Sequence, residues 1–199
     1  VVFESGPFGA TYAHALGIRP HVDRANPILA LIGSPTELTK LQSDRLESQS
    51  GVDLITVDDP ASDVSQLLSR LRASAEVGKT VIGIRTTSRD GSAPDPLHAS
   101  QMLTLIIDLA VECADSMQLD GIYASGGDVA FAVLDALGAR GYEVENEVVP
   151  LAVSGKLVGG PHDGLGFATK GGLVGDADAA VECINQLRSR IRQSEPRIV

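Results

Sequence analysis

Three short stretches of the chain combine residue types that hold anions. They are Gly33-Ser34-Pro35-Thr36, Ser125-Gly126-Gly127-Asp128 and Lys170-Gly171-Gly172-Leu173-Val174-Gly175, and each stands just after an apolar run. Glycine lets the backbone turn sharply and leaves no side chain between the amides and a ligand. In the second stretch the apolar-periodic segment Val129–Gly138 starts at once. The first free N–H groups of such a helix face the gap with the positive end of the dipole behind them. Phosphate is the usual anion at a turn of this kind. Taken singly, each stretch is also ordinary loop punctuation, with Asp128 a common first-turn acid. Together, converging N–H groups and the one cation Lys170 suit a triphosphate.

Other candidates compete for the same residues. Tyr123-Ala124-Ser125-Gly126-Gly127 is half of a nucleophile elbow on a strand-to-helix turn. A serine hydrolase using Ser125 would need His162 and an acid. The first elbow glycine is absent, and no acid is clearly placed for His162. Ala73-Ser74-Ala75-Glu76-Val77-Gly78-Lys79-Thr80 mimics a Walker loop but follows a helix and precedes a strand, the reverse of the required order. Gly78 is read as a helix C-cap instead. His14, His21 and His98 show no metal-ligand spacing with one another or with the cysteines.

The elements that must position these turns alternate. Ile28–Ile32 is a continuous apolar run, the pattern of a strand buried on both faces. A polar helix over Thr36–Ser50 follows, then a strand at Leu54–Val57, a helix at Ser62–Val77 and a strand at Thr80–Ile84. The long helix Leu97–Met117 leads to the strand Gly121–Ala124. This βαβα rhythm predicts an α/β fold, a three-layer α/β/α sandwich on a mainly parallel sheet. After Gly138 the runs Tyr142–Val149, Lys156–Val158 and Leu165–Thr169 are joined by short turns, which favours antiparallel pairing and makes the sheet mixed. A last helix spans about Asp176 to Arg192. In an open α/β sheet, ligands bind along the carboxyl edge of the parallel strands. The first two turns share that crevice if Ile28–Ile32 and Gly121–Ala124 are neighbours.

Bulk numbers narrow the partners. The 199 residues support one sizeable core, with 43% hydrophobic and 21% charged residues. A net charge of −10 and an aromatic content of 4% argue against nucleic acid, which needs basic surfaces and stacking platforms. Leu97–Met117 carries Asp108, Glu112 and Asp115, which argues against a membrane span. Cys113 and Cys183 lie far apart inside helical patterns and read as buried thiols of a reducing compartment, so the expected location is cytoplasmic.

With these turns placed, the sequence resembles the nucleotide-binding domain of the four-carbon acid sugar kinases. Gly33-Ser34-Pro35-Thr36-Glu37-Leu38-Thr39-Lys40-Leu41-Gln42 is similar to that family's Gly-Ser-x-Ser/Thr-x-x-Thr-x-x-Gln signature. Gly126-Gly127-Asp128 resembles its Gly-Gly-Asp/Glu-Thr turn, and Lys170-Gly171-Gly172-Leu173-Val174-Gly175 its closing Lys-x-Gly-x-Phe-Gly segment. The ordered set runs from about residue 28 to 190. The resemblance implies that ATP binds across Ser34, the turn Gly126, Gly127, Asp128 and Val129, and Gly172. It also implies Mg²⁺ at Asp128 and a threonate, erythronate or keto-tetronate as substrate. In that arrangement the Gly126 and Gly127 amides cradle phosphate and Lys170 offsets developing charge. Val129 stands where the family usually has Thr, Leu151 where Gly is usual, and Val174 where Phe is usual. Family members also carry an N-terminal substrate domain with an Asp-Asp-x-Thr-Gly motif, absent from this sequence. The expectation is therefore a nucleotide-binding domain over residues 21–199. Residues 1–20 would be the last strand and linking helix of a substrate domain that holds the catalytic groups. A non-catalytic ligand-binding relative is the alternative, and a second copy of the chain is carried among the candidate partners.

Overall fold

The computed structural model describes residues 26–34, 36–87 and 95–194. The expected strand Val1–Glu4, the helix after it, most of the linker to Pro27, the divide at residue 20, His14 and His21 all lie outside these residues. Among the described residues, seven strands form one sheet: β1 (Ile28–Ile32), β2 (Val52–Val57), β3 (Val81–Thr86), β4 (Gly121–Ser125), β5 (Gly141–Val149), β6 (Ala152–Val158) and β7 (Gly166–Lys170). Their spatial order is β2-β3-β1-β4-β7-β6-β5. Pairs β2/β3, β3/β1, β1/β4 and β4/β7 are parallel, and β7/β6 and β6/β5 are antiparallel. The mixed sheet follows from linker length. The βα crossovers are long enough to carry a helix, whereas only Pro150 and Leu151 separate β5 from β6.

Among the described residues, five helices cover the two faces: α1 (Glu37–Glu47), α2 (Val64–Glu76), α3 (Pro96–Ser116), α4 (Gly127–Ala136) and α5 (Ala179–Ser194). The two-residue period of each strand sorts the core into two clusters. Leu29 and Leu31 of β1 join Ile82, Ile84, Ile122 and Phe167 beneath α2, α3 and α4. Ile28, Ala30 and Ile32 join Tyr123 and Ala168 beneath α1 and α5. The result is the expected three layers.

Helix α3 is long and apolar enough to cross a membrane by length and composition. Its buried residues Met102, Leu105, Ile106, Leu109, Ala110 and Cys113 instead recur at helical spacing and pack onto the sheet. Cys113 and Cys183 are free, buried and in opposite clusters, and burial pushes both thiols up to about 12.

Candidate functional site

The three turns read from the sequence leave three adjacent parallel strands. Ile32 of β1, Ser125 of β4 and Lys170 of β7 lie at the same register level. Gly33, Gly126 and Gly171 therefore emerge side by side from the carboxyl edge of the sheet. Backbone bonds sew them together: the Gly33 N–H donates to the Ser125 carbonyl at 3.2 Å, and the Gly126 N–H to the Lys170 carbonyl at 2.9 Å.

Gly126 is the N-cap of α4 and holds φ 116°, a conformation that L side chains rarely adopt. It brings no capping side chain, and the first helical bond runs from the Ala130 N–H to the Gly126 carbonyl at 2.9 Å. Among the described residues, the amides left open at this helix start are those of Gly127, Asp128 and Val129. This corrects one detail of the sequence reading, since the Gly126 amide is spent on Lys170. Gly127 and Asp128 are exposed. The Val129 side chain points inward, 5% exposed, and its γ-methyl packs into the space beside Gly33 and Ile106. Valine thus fills the position where a threonine would add a hydroxyl.

The signature of the first turn is a clamp on the third. Thr36 and Thr39 hydroxyls both donate to the Gly172 carbonyl at 2.9 Å. Thr36 Oγ1 also accepts the Thr39 N–H at 3.2 Å, so the same hydroxyl caps α1. Gln42, one turn further and buried, donates from Nε2 to the Val174 carbonyl at 3.0 Å and the Asp176 carbonyl at 2.6 Å. Positions 36, 39 and 42 fall on one face of α1, which explains their three-residue spacing. Ser34 keeps its hydroxyl near the turn, with a long 3.5 Å approach to Thr36.

Lys170 departs from its expected role. Its side chain is 1% exposed and its ammonium donates to the Gly171 carbonyl at 3.0 Å. Burial lowers its pKa below the ordinary lysine range. The cation sits beneath the turn, on the α5 side of the sheet, and braces backbone instead of facing the cleft. The alternation of β7 places it there, a parity that the motif alone does not reveal.

The hydrolase arrangement does not assemble. Ser125 is 1% exposed and lies opposite Ile32 and Lys170. His162 sits in the β6–β7 turn at the other end of β7, roughly 13 Å of strand away, where its Nε2 meets Asp115 Oδ1 at 3.2 Å.

Two cavities flank the β1 turn. One, of about 360 Å³, lies between the end of β3, α3 and the start of α4, and includes Asp128 and Val129 in its wall. The other, of about 270 Å³, lies on the α1 side and is lined by Ser34, Thr36, Lys40, Asp44 and Arg85 among others. The sequence reading missed the first. Met102, Leu103 and Ile106 carry only the signal of a core helix, and His98 reads as a helix-end residue.

Residues 29–180 match the family model described as the nucleotide-binding C-terminal domain. The chain belongs to this family. It is 35% identical to the D-erythronate kinase of Heliobacterium modesticaldum over 96% of its own length, and 27% identical to the D-threonate kinase of Salmonella typhimurium over 75%. The nucleotide-binding domain spans about half or less of these relatives, 48% and 40% of their lengths. Among solved structures, a domain of unknown function from Bordetella bronchiseptica, with bound citrate and named a domain-swapped dimer, superposes with a TM-score of 0.70. Its identity is 26%, and the match covers 82% of this chain and 41% of that one. A Haemophilus influenzae protein shares the fold at a TM-score of 0.67 and 16% identity, over 89% of this chain and 45% of its own. These findings confirm the resemblance to four-carbon acid sugar kinases and the α/β fold.

Proposed function

We propose that the chain is the nucleotide-binding half of an ATP-dependent kinase that phosphorylates a four-carbon sugar acid of the erythronate or threonate type. The observation that carries this reading is the alignment of three glycine turns on adjacent strands, with the open amides of Gly127–Val129 at their centre. Phosphoryl transfer depends on positioning and charge stabilisation, and a helix start of this form supplies both without side-chain chemistry. Ser34 and Gly172 meet beside that helix start and complete the cradle.

Mg²⁺ suits the donor set. Among the described residues no group of three His, Cys, Asp or Glu converges. Mg²⁺ commonly uses one or two carboxylates with phosphate oxygens and water, so the exposed Asp128 in the first turn of α4 is a sufficient protein ligand. Bound there, the metal would neutralise phosphate charge. On this reading the sugar acid and the catalytic groups are held by an N-terminal substrate domain that partners the nucleotide-binding half, a division that the 48% and 40% coverage of the relatives supports. An ATP-consuming enzyme with free thiols suits the cytoplasm.

One feature favours a second reading, a non-catalytic relative that keeps the cleft for ligand binding. Val129 removes a hydroxyl from the turn while retaining the fold. Titration calorimetry of the folded chain with Mg-ATP tests the shared claim. Saturable heat supports a nucleotide site, and no heat at millimolar nucleotide overturns it. Joined to its substrate half, turnover of erythronate or threonate supports the kinase, whereas binding without turnover supports the second reading.

A further inference from the structure

We infer that the nucleotide-binding half also grips the sugar acid, in the cavity on the α1 side of the β1 turn, with Lys40 on its carboxylate and Glu37 on a hydroxyl. The inference rests on the kinase reading above. It adds to that reading a specificity-determining pair on the half that carries the nucleotide.

The cavity, of about 270 Å³, is walled by the first turn, the start of α1 and the end of β3. Ser34 belongs both to this wall and to the cradle. Its Cβ stands 3.9 Å from the position that a Cβ on Gly126 would take. An acid seated here lies directly beside the turn that holds phosphate. Phosphoryl transfer requires that placement, because the acceptor hydroxyl and the terminal phosphate must meet in line.

The lining has the chemistry that a short hydroxy acid needs. Glu37 and Lys40 are three residues apart, so they share a face of α1, and both border the cavity. Both are exposed, and among the described residues neither has an ion-pair partner. Arg85 on the opposite wall differs. Asp44 and, at 3.0 Å, Glu47 already neutralise it, and it donates to the Thr56 hydroxyl at 2.9 Å. The unspent groups are therefore one ammonium and one carboxylate. The ammonium donates to the carboxylate of the acid, and Glu37 accepts from a hydroxyl on its other carbons. Ser34, Thr86 and Thr87 add hydroxyls to the same wall.

The cavity on the α3 side lacks this pair. Met102, Leu103, Ile106 and Val129 give it an apolar wall, and among the described residues it holds neither lysine nor arginine. Asp128 borders it, so a carboxylate placed there would meet a like charge and lose water without a partner. The acid belongs on the α1 side.

The test uses the whole chain and reads binding by ligand-observed NMR. The probes are erythronate, the neutral tetritol with a CH₂OH in place of the carboxylate, and Mg-ATP. Wild type is compared with Lys40→Met, Glu37→Ala and, on the other cavity, His98→Ala, each first checked for folding by urea denaturation. Wild type should bind erythronate saturably in the millimolar range, and the tetritol about tenfold more weakly. Lys40→Met is expected to weaken erythronate by about tenfold and leave the tetritol unchanged, whereas Glu37→Ala weakens both by about threefold. His98→Ala changes neither, and Mg-ATP binds all four proteins alike. Equal erythronate affinity in wild type and Lys40→Met overturns the assignment and leaves the nucleotide site standing. No erythronate binding to wild type at tens of millimolar, or loss in His98→Ala alone, does the same. Loss of Mg-ATP in Lys40→Met gives the cavity to the nucleotide and also overturns the inference. A wild-type chain that binds erythronate but not Mg-ATP keeps the acid site and overturns the kinase reading.

Discussion

Ser34 Oγ occupies the space that a side chain on Gly172 would need. The two residues are 138 positions apart in sequence, yet they touch because β1 and β7 flank β4 and their turns converge. Thr36 and Thr39 also hold the Gly172 carbonyl. Gly172→Ala must push Ser34 away or open the third turn. Such overpacking costs about 1–3 kcal/mol. The variant is expected to remain folded, lose that much stability in urea denaturation and bind Mg-ATP more weakly. Wild-type stability and affinity together would mean that the contact is slack.

Gln42 gives the matching prediction on the scaffold. Replacing it by leucine keeps an apolar-compatible shape but leaves the Val174 and Asp176 carbonyls without their donor. The expected loss is about 2 kcal/mol, the usual cost of stranding partly buried acceptors. Hydrogen exchange should show the 171–176 turn opening more readily than the helices around it. Protection equal to wild type would remove Gln42 from the clamp.

Lys170 makes a pH prediction. Its folded pKa lies below the ordinary 10.5 because burial disfavours the ammonium. Between the folded value and 10.5 the unfolded chain binds more protons than the native one, so the stability of the native state rises with pH through that window. Below the folded pKa the full burial cost is present. Compared with Lys170→Met, the wild type should therefore gain stability as pH rises from neutral towards 10.5, measured by urea unfolding of both proteins. A difference that stays flat, or that moves towards the methionine variant, contradicts the buried ammonium.

Leu151 stands between β5 and β6 with φ 68° and 78% exposure. The left-handed conformation costs a non-glycine residue about 1–2 kcal/mol. An exposed side chain recovers little of this by packing. Leu151→Gly is expected to stabilise the domain by about 0.5–1 kcal/mol after the extra entropy of a glycine in the unfolded chain is subtracted. Lower stability in urea would show that the leucine makes a contact worth more than its strain.

Much of the fold was legible because its strongest signals are local. The all-buried run Ile28–Ile32 and the change from long crossovers to short turns after Gly138 follow from chain length and side-chain period. They gave the layers and the mixed sheet. The adjacency of β1, β4 and β7 was not local. The sequence showed three similar turns, and only the strand order made them neighbours. Strand parity was the main source of error, because the direction of Lys170 depends on its register opposite Ser125. The Gly126 amide was misassigned for a related reason, since its bond to the Lys170 carbonyl extends a ladder invisible in the motif. The wall of the α3 cavity was missed because Met102 and Ile106 serve both the core and the pocket, and periodicity reports only the first role.

The proposed kinase role requires phosphate to lie on the open amides at the start of α4. Gly127 offers the most direct test, because a Cβ there meets nothing within 4 Å, and its backbone is helical. Gly127→Val should fold with a denaturation midpoint near that of wild type while its branched side chain covers the amides. Calorimetric titration with Mg-ATP is expected to give saturable binding for the wild type and none for the variant. Equal affinity in the two proteins, with both folded, would place the nucleotide away from these amides.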